Sequence, residues 1–414
     1  MQKPENKRFS FKTLLSFLGP GFLVTVGFVD PGNWATNIEG GAKFGYKLLW
    51  VVTLGTLMLM LIQHLAAKLG IATGKSLAVN IRERFPAPIT LFLGGTVLLA
   101  CIATDVAELL GGGIGFQLLF GMPLWVGALL TLLLKVFLVI SQRYHRIETI
   151  IVGFLGIITL CYIAELFIVK PDWAVIAPAL ILPNVGRESI YIALAILGAL
   201  VMPHNIFLHS NVIHSRKWGI SETEKRELLR YEKMDTFLAM SLGWVVNSAM
   251  IIVSAAIFFY HGVPVSSIEE ASITLKPLAG QLASLLFAVA LVFSGVGSSM
   301  TSSMAEADVM TGFLGKPEDP GSLFYRLSVF VTAIPAFLII LVSTESYRVM
   351  IFSQVILSIQ LPFTLLPLLI LSRSRNVMGV FRSGTAEYIA ATIISLIVIL
   401  LNIYFLNTFL TGGG

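Results

Sequence analysis

Eleven stretches of this chain are apolar over roughly the 20 residues that an α-helix needs to cross the hydrocarbon core of a bilayer. They fall at about 13–40, 46–70, 89–119, 123–141, 149–169, 188–213, 236–260, 280–313, 325–343, 346–372 and 385–409. Inside lipid no water is available to a backbone N–H or C=O, so each run must close its own hydrogen bonds as a helix. Charged residues make up only 12% of the chain, about half the share of a soluble domain. The fold class is therefore an all-α polytopic membrane protein. No extramembrane domain is expected, and the longest polar connection runs from about His214 to Lys233.

The polar connections also give an orientation. With the basic start of the chain, Lys3 to Lys12, placed in the cytoplasm, the inside connections carry 21 of the 28 Lys and Arg residues and the outside ones 6, with Lys135 left inside the fourth span. Lys and Arg concentrate on cytoplasmic loops. Eleven spans then put Thr411 to Gly414 outside. The same distribution explains the net charge of +5 without a nucleic-acid partner. No nucleophile–base set, phosphate loop or cofactor motif is present, so an enzyme is not expected. Cys101 and Cys161 lie in apolar runs, outside any CxxC or Cys/His cluster, and read as small buried hydrophobes. Gly111, Gly112, Gly113 and Gly115 read as a surface for close helix packing.

The first and sixth spans are interrupted alike. Asp30-Pro31-Gly32-Asn33 and Met202-Pro203-His204-Asn205 share the register of Pro and Asn, each in mid-span. Proline donates no backbone hydrogen bond and clashes with the turn before it, so the first span should unwind at Asp30 to Asn33. Freed backbone groups are tolerated at that depth only where they face a protein cavity. Helix-breaking residues at corresponding points of two halves suggest a transporter built from inverted repeats. The repeats would be 13–169 and 188–372, with 385–409 as an additional helix.

The broken spans also carry the chemistry. A carboxylate at bilayer depth costs about 2.5–3.5 kcal/mol on insertion scales, a cost that a bound cation or a proton offsets. On the residues alone Asp30 is either part of a cation site or a buried cap on the second half-helix. Met202 is either a ligand or packing. Oxygen ligands alone would suit Mg²⁺ or Ca²⁺; a thioether beside a carboxylate and an amide favours softer ions such as Mn²⁺, Fe²⁺, Co²⁺ or Cd²⁺. An amino-acid carrier with a carboxylate-binding site at half-helix N-termini is disfavoured, because Asp30 would repel that group. A passive channel or a receptor would have less use for paired helix breaks.

These residues carry a family resemblance. DPGN in span one, MPHN followed by FLHS in span six, and FSQVILSIQLPF in span ten resemble the Nramp (natural-resistance-associated macrophage protein) family of divalent-metal/proton symporters. ATGKSLA after span two and ATDVAELLG in span three extend the likeness over essentially the whole chain. The resemblance implies a LeuT-like fold with an inverted five-plus-five helix repeat and one extra helix. It implies import of Mn²⁺ or Fe²⁺, and also Cd²⁺ or Co²⁺, together with H⁺ by alternating access across the cell membrane. No further cofactor and no protein partner are implied. Asp30 and Asn33 match side-chain metal ligands, Ala199 a carbonyl ligand, Met202 a thioether ligand, and Gln354 a glutamine that approaches the ion as the site closes.

Proton handling is expected elsewhere. Asp105 and Glu108 share one face of the third span by their i, i+3 spacing. The resemblance implies that they lead protons away from the metal and pair with basic residues of the ninth span, where Arg326 is the available cation. His204 is a further proton candidate. His209, Asn247 and Gln63 are read as gating or lining groups, and Glu39 and His64 as helix-bonding or lining ones. The eighth span departs from the family pattern, with Glu306 and Ala307 where a glycine-glutamine pair is usual.

Overall fold

The computed structural model describes residues 17–410, apart from 142–143, 185, 187, 217–220, 264, 266 and 344. Lys3 to Lys12 and Thr411 to Gly414, the two termini whose orientation the Lys and Arg distribution predicts, lie outside the described residues. Among the described residues there are helices and no strands.

The first span is two helices, α1 (Pro20–Gly27) and α2 (Pro31–Phe44). A tight 3₁₀ turn at Gly45–Leu48 leads into α3 (Leu49–Thr73), and the short α4 (Leu77–Arg84) follows it. Then come α5 (Ala87–Phe120), α6 (Leu124–Ser141), α7 (Tyr144–Val169) and the short α8 (Trp173–Ala179). The sixth span is again split, into α9 (Ile190–Leu200) and α10 (Pro203–Val212). Next are α11 (Glu222–Ser254), α12 (Ile268–Ala279), α13 (Gln281–Leu314), α14 (Leu323–Val342), α15 (Ser346–Arg373), the single turn α16 (Arg375–Met378) and α17 (Thr385–Leu410).

Two elements differ from the sequence reading. The helix expected at 236–260 starts far earlier, because Ser221 caps its first turn and Glu224 reaches back to the Ser221 backbone in a capping box. Most of the polar His214–Lys233 connection is thus helical. The short helices α4, α8 and α12 lie in connections between the expected spans. The break in the first span falls at Phe28 to Asp30, ahead of the expected Asp30 to Asn33: Pro31, Gly32 and Asn33 already belong to α2. Proline fits the first turn of a helix, where its missing N–H has no partner to lose.

The split helices occupy the middle of the bundle. Helix α1 packs on α7, α11 and α13, and α2 on α9, α11 and α15. Helix α10 packs on α3 and α13. The expected close packing along the glycines of α5 is present: Gly111 faces Pro31 and Gly112 faces Thr131 with no room for a Cβ. Both cysteines are buried and unpaired.

Candidate metal-binding site

The break between α1 and α2 leaves backbone carbonyls free, and the bundle supplies their donors. Asn247 Nδ2 reaches the Phe28 carbonyl at 3.4 Å and Ser294 Oγ the Val29 carbonyl at 2.6 Å. A buried carbonyl without a partner would cost about 1–3 kcal/mol, so these two side chains hold the unwound segment in place. Asn247 is fixed in turn by Asn37, whose Nδ2 donates to its Oδ1 at 2.7 Å. Asn247 therefore braces the break.

Asp30 is the N-cap of α2. Its carboxylate accepts from Gly32 N at 2.9 Å, Asn33 N at 3.1 Å and Asn33 Nδ2 at 2.7 Å. The amide of Asn33 donates at the same time to the Ala199 carbonyl, 2.9 Å away at the end of α9. One side chain thus ties the break in the first span to the break in the sixth. The Asn33 Oδ1, the atom a cation would take, has no partner. Met202 is the N-cap residue of α10, with an extended backbone, and Asn205 Nδ2 approaches its sulfur at 3.7 Å. Gln354 enters from α15. Its Nε2 lies 1.8 Å, and Asp30 Oδ2 2.7 Å, from the point a Cβ on Gly32 would occupy, and its Oε1 has no partner. The absence of a side chain at Gly32 is what lets amide and carboxylate converge. Asp30, Asn33, Ala199, Met202 and Gln354 are all wholly buried, so the site is closed to both sides.

The remaining candidates fall into two groups. Below the break, His209 Nδ1 meets Gln63 Oε1 at 3.1 Å, and His64 Nδ1 meets Glu232 at 2.6 Å. His204 is buried one residue beyond Pro203, with Thr104 Oγ1 3.4 Å from its Nδ1 and no partner at Nε2. Glu39 lies above, at the far end of α2, holding Lys43 at 2.5 Å.

The second group corrects an expectation. Arg326 is exposed at the start of α14, and its Nε donates to the Pro320 carbonyl at 3.4 Å. It does not pair with Asp105 or Glu108. The cation that does is Lys135 of α6, whose ammonium contacts Asp105 with both side chains fully buried. Glu108 accepts from Ser302 Oγ at 2.5 Å, and Glu306 from Thr332 Oγ1 at 2.5 Å. The sequence held a signal for Lys135. A lone lysine in the middle of an apolar span has to find a carboxylate inside the bundle.

The decisive similarity extends over nearly the whole length. Residues 21–408 match the family described as natural resistance-associated macrophage protein-like, Nramp. This chain belongs to the Nramp family. Among its Nramp relatives, the divalent metal cation transporter MntH of Brucella suis is 38% identical over 97% of this chain and 90% of its own length. MntH of Caldanaerobacter subterraneus is 40% identical over 94% and 92%. The solved manganese transporter of Eremococcus coleocola superposes with a TM-score of 0.86 at 31% identity, covering 97% of this chain and 88% of that one. Mhp1, a nucleobase-cation-symport-1 family transporter, superposes with a TM-score of 0.63 at 12% identity, covering 94% and 93%, a likeness of fold alone. The Nramp chain described here therefore has the LeuT-like fold that the family resemblance implies.

Proposed function

We propose that the protein imports divalent transition-metal ions, Mn²⁺ or Fe²⁺ and also Cd²⁺ or Co²⁺, together with protons, by alternating access. It is a transporter and not an enzyme. The observation that carries the reading is the meeting of the two helix breaks: Asn33 bridges Asp30 and Ala199, with Met202 at the second break and Gln354 closing over Gly32. One carboxylate, two amide oxygens, a backbone carbonyl and a thioether form a mixed hard and soft donor set suited to such ions. The names of the relatives, divalent metal cation transporters and a manganese transporter, support the same substrate class.

The closed site suits an occluded state. On its cytoplasmic side α1 is held by Asp235, whose oxygens accept from Gly19 N at 3.0 Å and Gly21 N at 2.6 Å. Arg216 donates to the carbonyls of Phe17 at 3.0 Å and Leu18 at 2.9 Å while it pairs with Glu148 at 2.5 Å. Release inward would part these contacts and swing α1 away, with 13–169 and 188–372 moving as inverted repeats. The excess of Lys and Arg on one set of connections supports a multi-pass protein of the cell membrane with its N-terminus in the cytoplasm and its C-terminus outside.

Protons enter through two steps. Asp30 must be ionised to hold a cation, so metal binding displaces a proton. Asp105 and Glu108, with His204 nearer the site, are the acceptors that turn this competition into symport. The test is flux in proteoliposomes with an internal pH dye. Mn²⁺ uptake should accelerate when the outside is acidic, and protons should enter with it. Uptake of Mn²⁺ with no proton entry would make the protein a uniporter on the same fold.

A further inference from the structure

The interior holds more acid than base around Asp105. Asp105 and Glu108 on α5 and Glu306 on α13 are all fully buried. Lys135 is the one buried lysine or arginine among the described residues. Its ammonium contacts Asp105 and lies within electrostatic reach of Glu306 and Glu108. Also facing the cluster are the hydroxyls of Ser302 on α13 and Thr332 on α14 and the thiol of Cys101 on α5, and Asp30 of the metal site lies within electrostatic reach of Glu108. One cation can balance one carboxylate in a low-dielectric interior. Three carboxyls and one ammonium therefore leave room for two bound protons: the Asp105 and Glu306 carboxyls lie within hydrogen-bonding reach of each other, a contact that needs a proton between them, and Glu108 Oε1 has no partner.

The arrangement is also directional. Helix α5 enters from the cytoplasmic side and α13 leaves toward it, in the orientation proposed above. Glu108 is thus nearest the metal site, Asp105 lies one turn below it, and Glu306 one turn below Ser302. The Ser302 hydroxyl touches Glu108 Oε2 at 2.5 Å and Asp105 Oδ1 at 3.5 Å, so it can accept a proton from one carboxyl while giving its own to the other.

We propose that Lys135 is the counter-charge that balances Asp105 and so sets it as the station that receives the transported proton, through Glu108 and Ser302, before Glu306 passes it on. Lys135 itself stays charged and acts as a positioning residue. The charge that sets the route belongs to α6 in this chain, and α14 contributes only the Thr332 hydroxyl. This inference rests on the proton-coupled reading above and adds the residues that carry it.

The experiment uses the full-length protein in proteoliposomes, with Mn²⁺ uptake and internal pH followed in the same vesicles. Lys135→Gln should still take up Mn²⁺. Its proton entry per metal ion should fall roughly tenfold or more, because the cluster loses the one buried cation that balances a carboxylate there. Lys135→Arg should restore proton entry, a rescue that a purely packing role for the lysine stem would not predict. Removing one member of a buried ion pair can prevent folding, so Lys135→Gln/Asp105→Asn is measured beside it. That double variant loses both charges together and should fold and move Mn²⁺ without protons. Full proton entry in Lys135→Gln or in the double variant overturns the proposal. A native protein that couples normally while Lys135→Gln couples equally well refutes this assignment alone. A native protein that moves Mn²⁺ with no proton refutes the coupled reading and this inference with it.

Discussion

Gly32→Ala is the smallest change that should separate metal binding from closure of the site. A Cβ there would lie 1.8 Å from Gln354 Nε2 and 2.7 Å from Asp30 Oδ2. The glutamine amide is the end of a flexible side chain and would have to retreat by about 1.6 Å to reach the 3.4 Å of ordinary contact. The carboxylate has less freedom, because it is held as the N-cap of α2 by three donors. Overpacking of this kind costs about 1–3 kcal/mol, which corresponds to a closed state about 5- to 150-fold less populated. The cost falls on the closed arrangement, where Gln354 lies over Gly32. Mn²⁺ turnover in proteoliposomes should therefore drop within that range, while Mn²⁺ affinity measured calorimetrically in detergent changes less. A double-mutant cycle sharpens the test: in a Gln354→Ala background the penalty of Gly32→Ala should shrink, since its nearest obstacle is gone. Turnover indistinguishable from the native protein, or an undiminished penalty in the Gln354→Ala background, would refute the role given to Gln354.

Other substitutions probe the frame around the site. Asp30→Asn keeps an N-cap side chain but removes the charge, so the protein should fold and purify with metal uptake nearly abolished; uptake at the native rate would remove Asp30 from the site. Asp30→Ala should add a loss of stability of about 0.5–2 kcal/mol from the missing cap, seen as a lower melting temperature than that of Asp30→Asn. Gly19→Ala should loosen the cytoplasmic end of α1. Its backbone has φ of 151°, and a Cβ would meet Glu148 Oε1 at 1.7 Å and Arg216 Nη2 at 2.3 Å. The prediction is faster labelling of a Thr25→Cys probe from the cytoplasmic face in Gly19→Ala than in the Gly19 parent, and equal rates would argue against the latch.

The spans were legible because hydropathy and length alone demand helices in lipid. The two breaks were legible because Pro31 and Pro203 sit in mid-span beside polar residues. The first break lies at Phe28 to Asp30 rather than Asp30 to Asn33, since Pro31 starts a helix better than it sits in an unwound segment. Helix α11 was cut short because its first turns, from Glu222, are polar and stand below the hydrophobic window, although Ser221 and Glu224 spelled out a capping box. The cation partner of Asp105 was misassigned for a different reason. The family resemblance points to the ninth span, where Arg326 is exposed, whereas Lys135 reaches Asp105 from the neighbouring fourth span, which no periodicity in α5 reveals. The carbonyl braces Asn247 and Ser294 were beyond sequence reading altogether. Their partners, Phe28 and Val29, act through backbone atoms that side-chain identity does not report.

The central claim is that two broken helices present oxygen and sulfur donors to one ion, and the metal's own spectrum tests it most directly. X-ray absorption at the cadmium edge should be recorded on purified protein loaded with Cd²⁺. The account predicts a single sulfur scatterer beside several oxygens, lost in Met202→Leu, a volume-conserving change that keeps the packing, together with weaker Cd²⁺ binding and poorer exclusion of Ca²⁺. An oxygen-only shell in the native protein, or a sulfur signal unchanged in Met202→Leu, would contradict it.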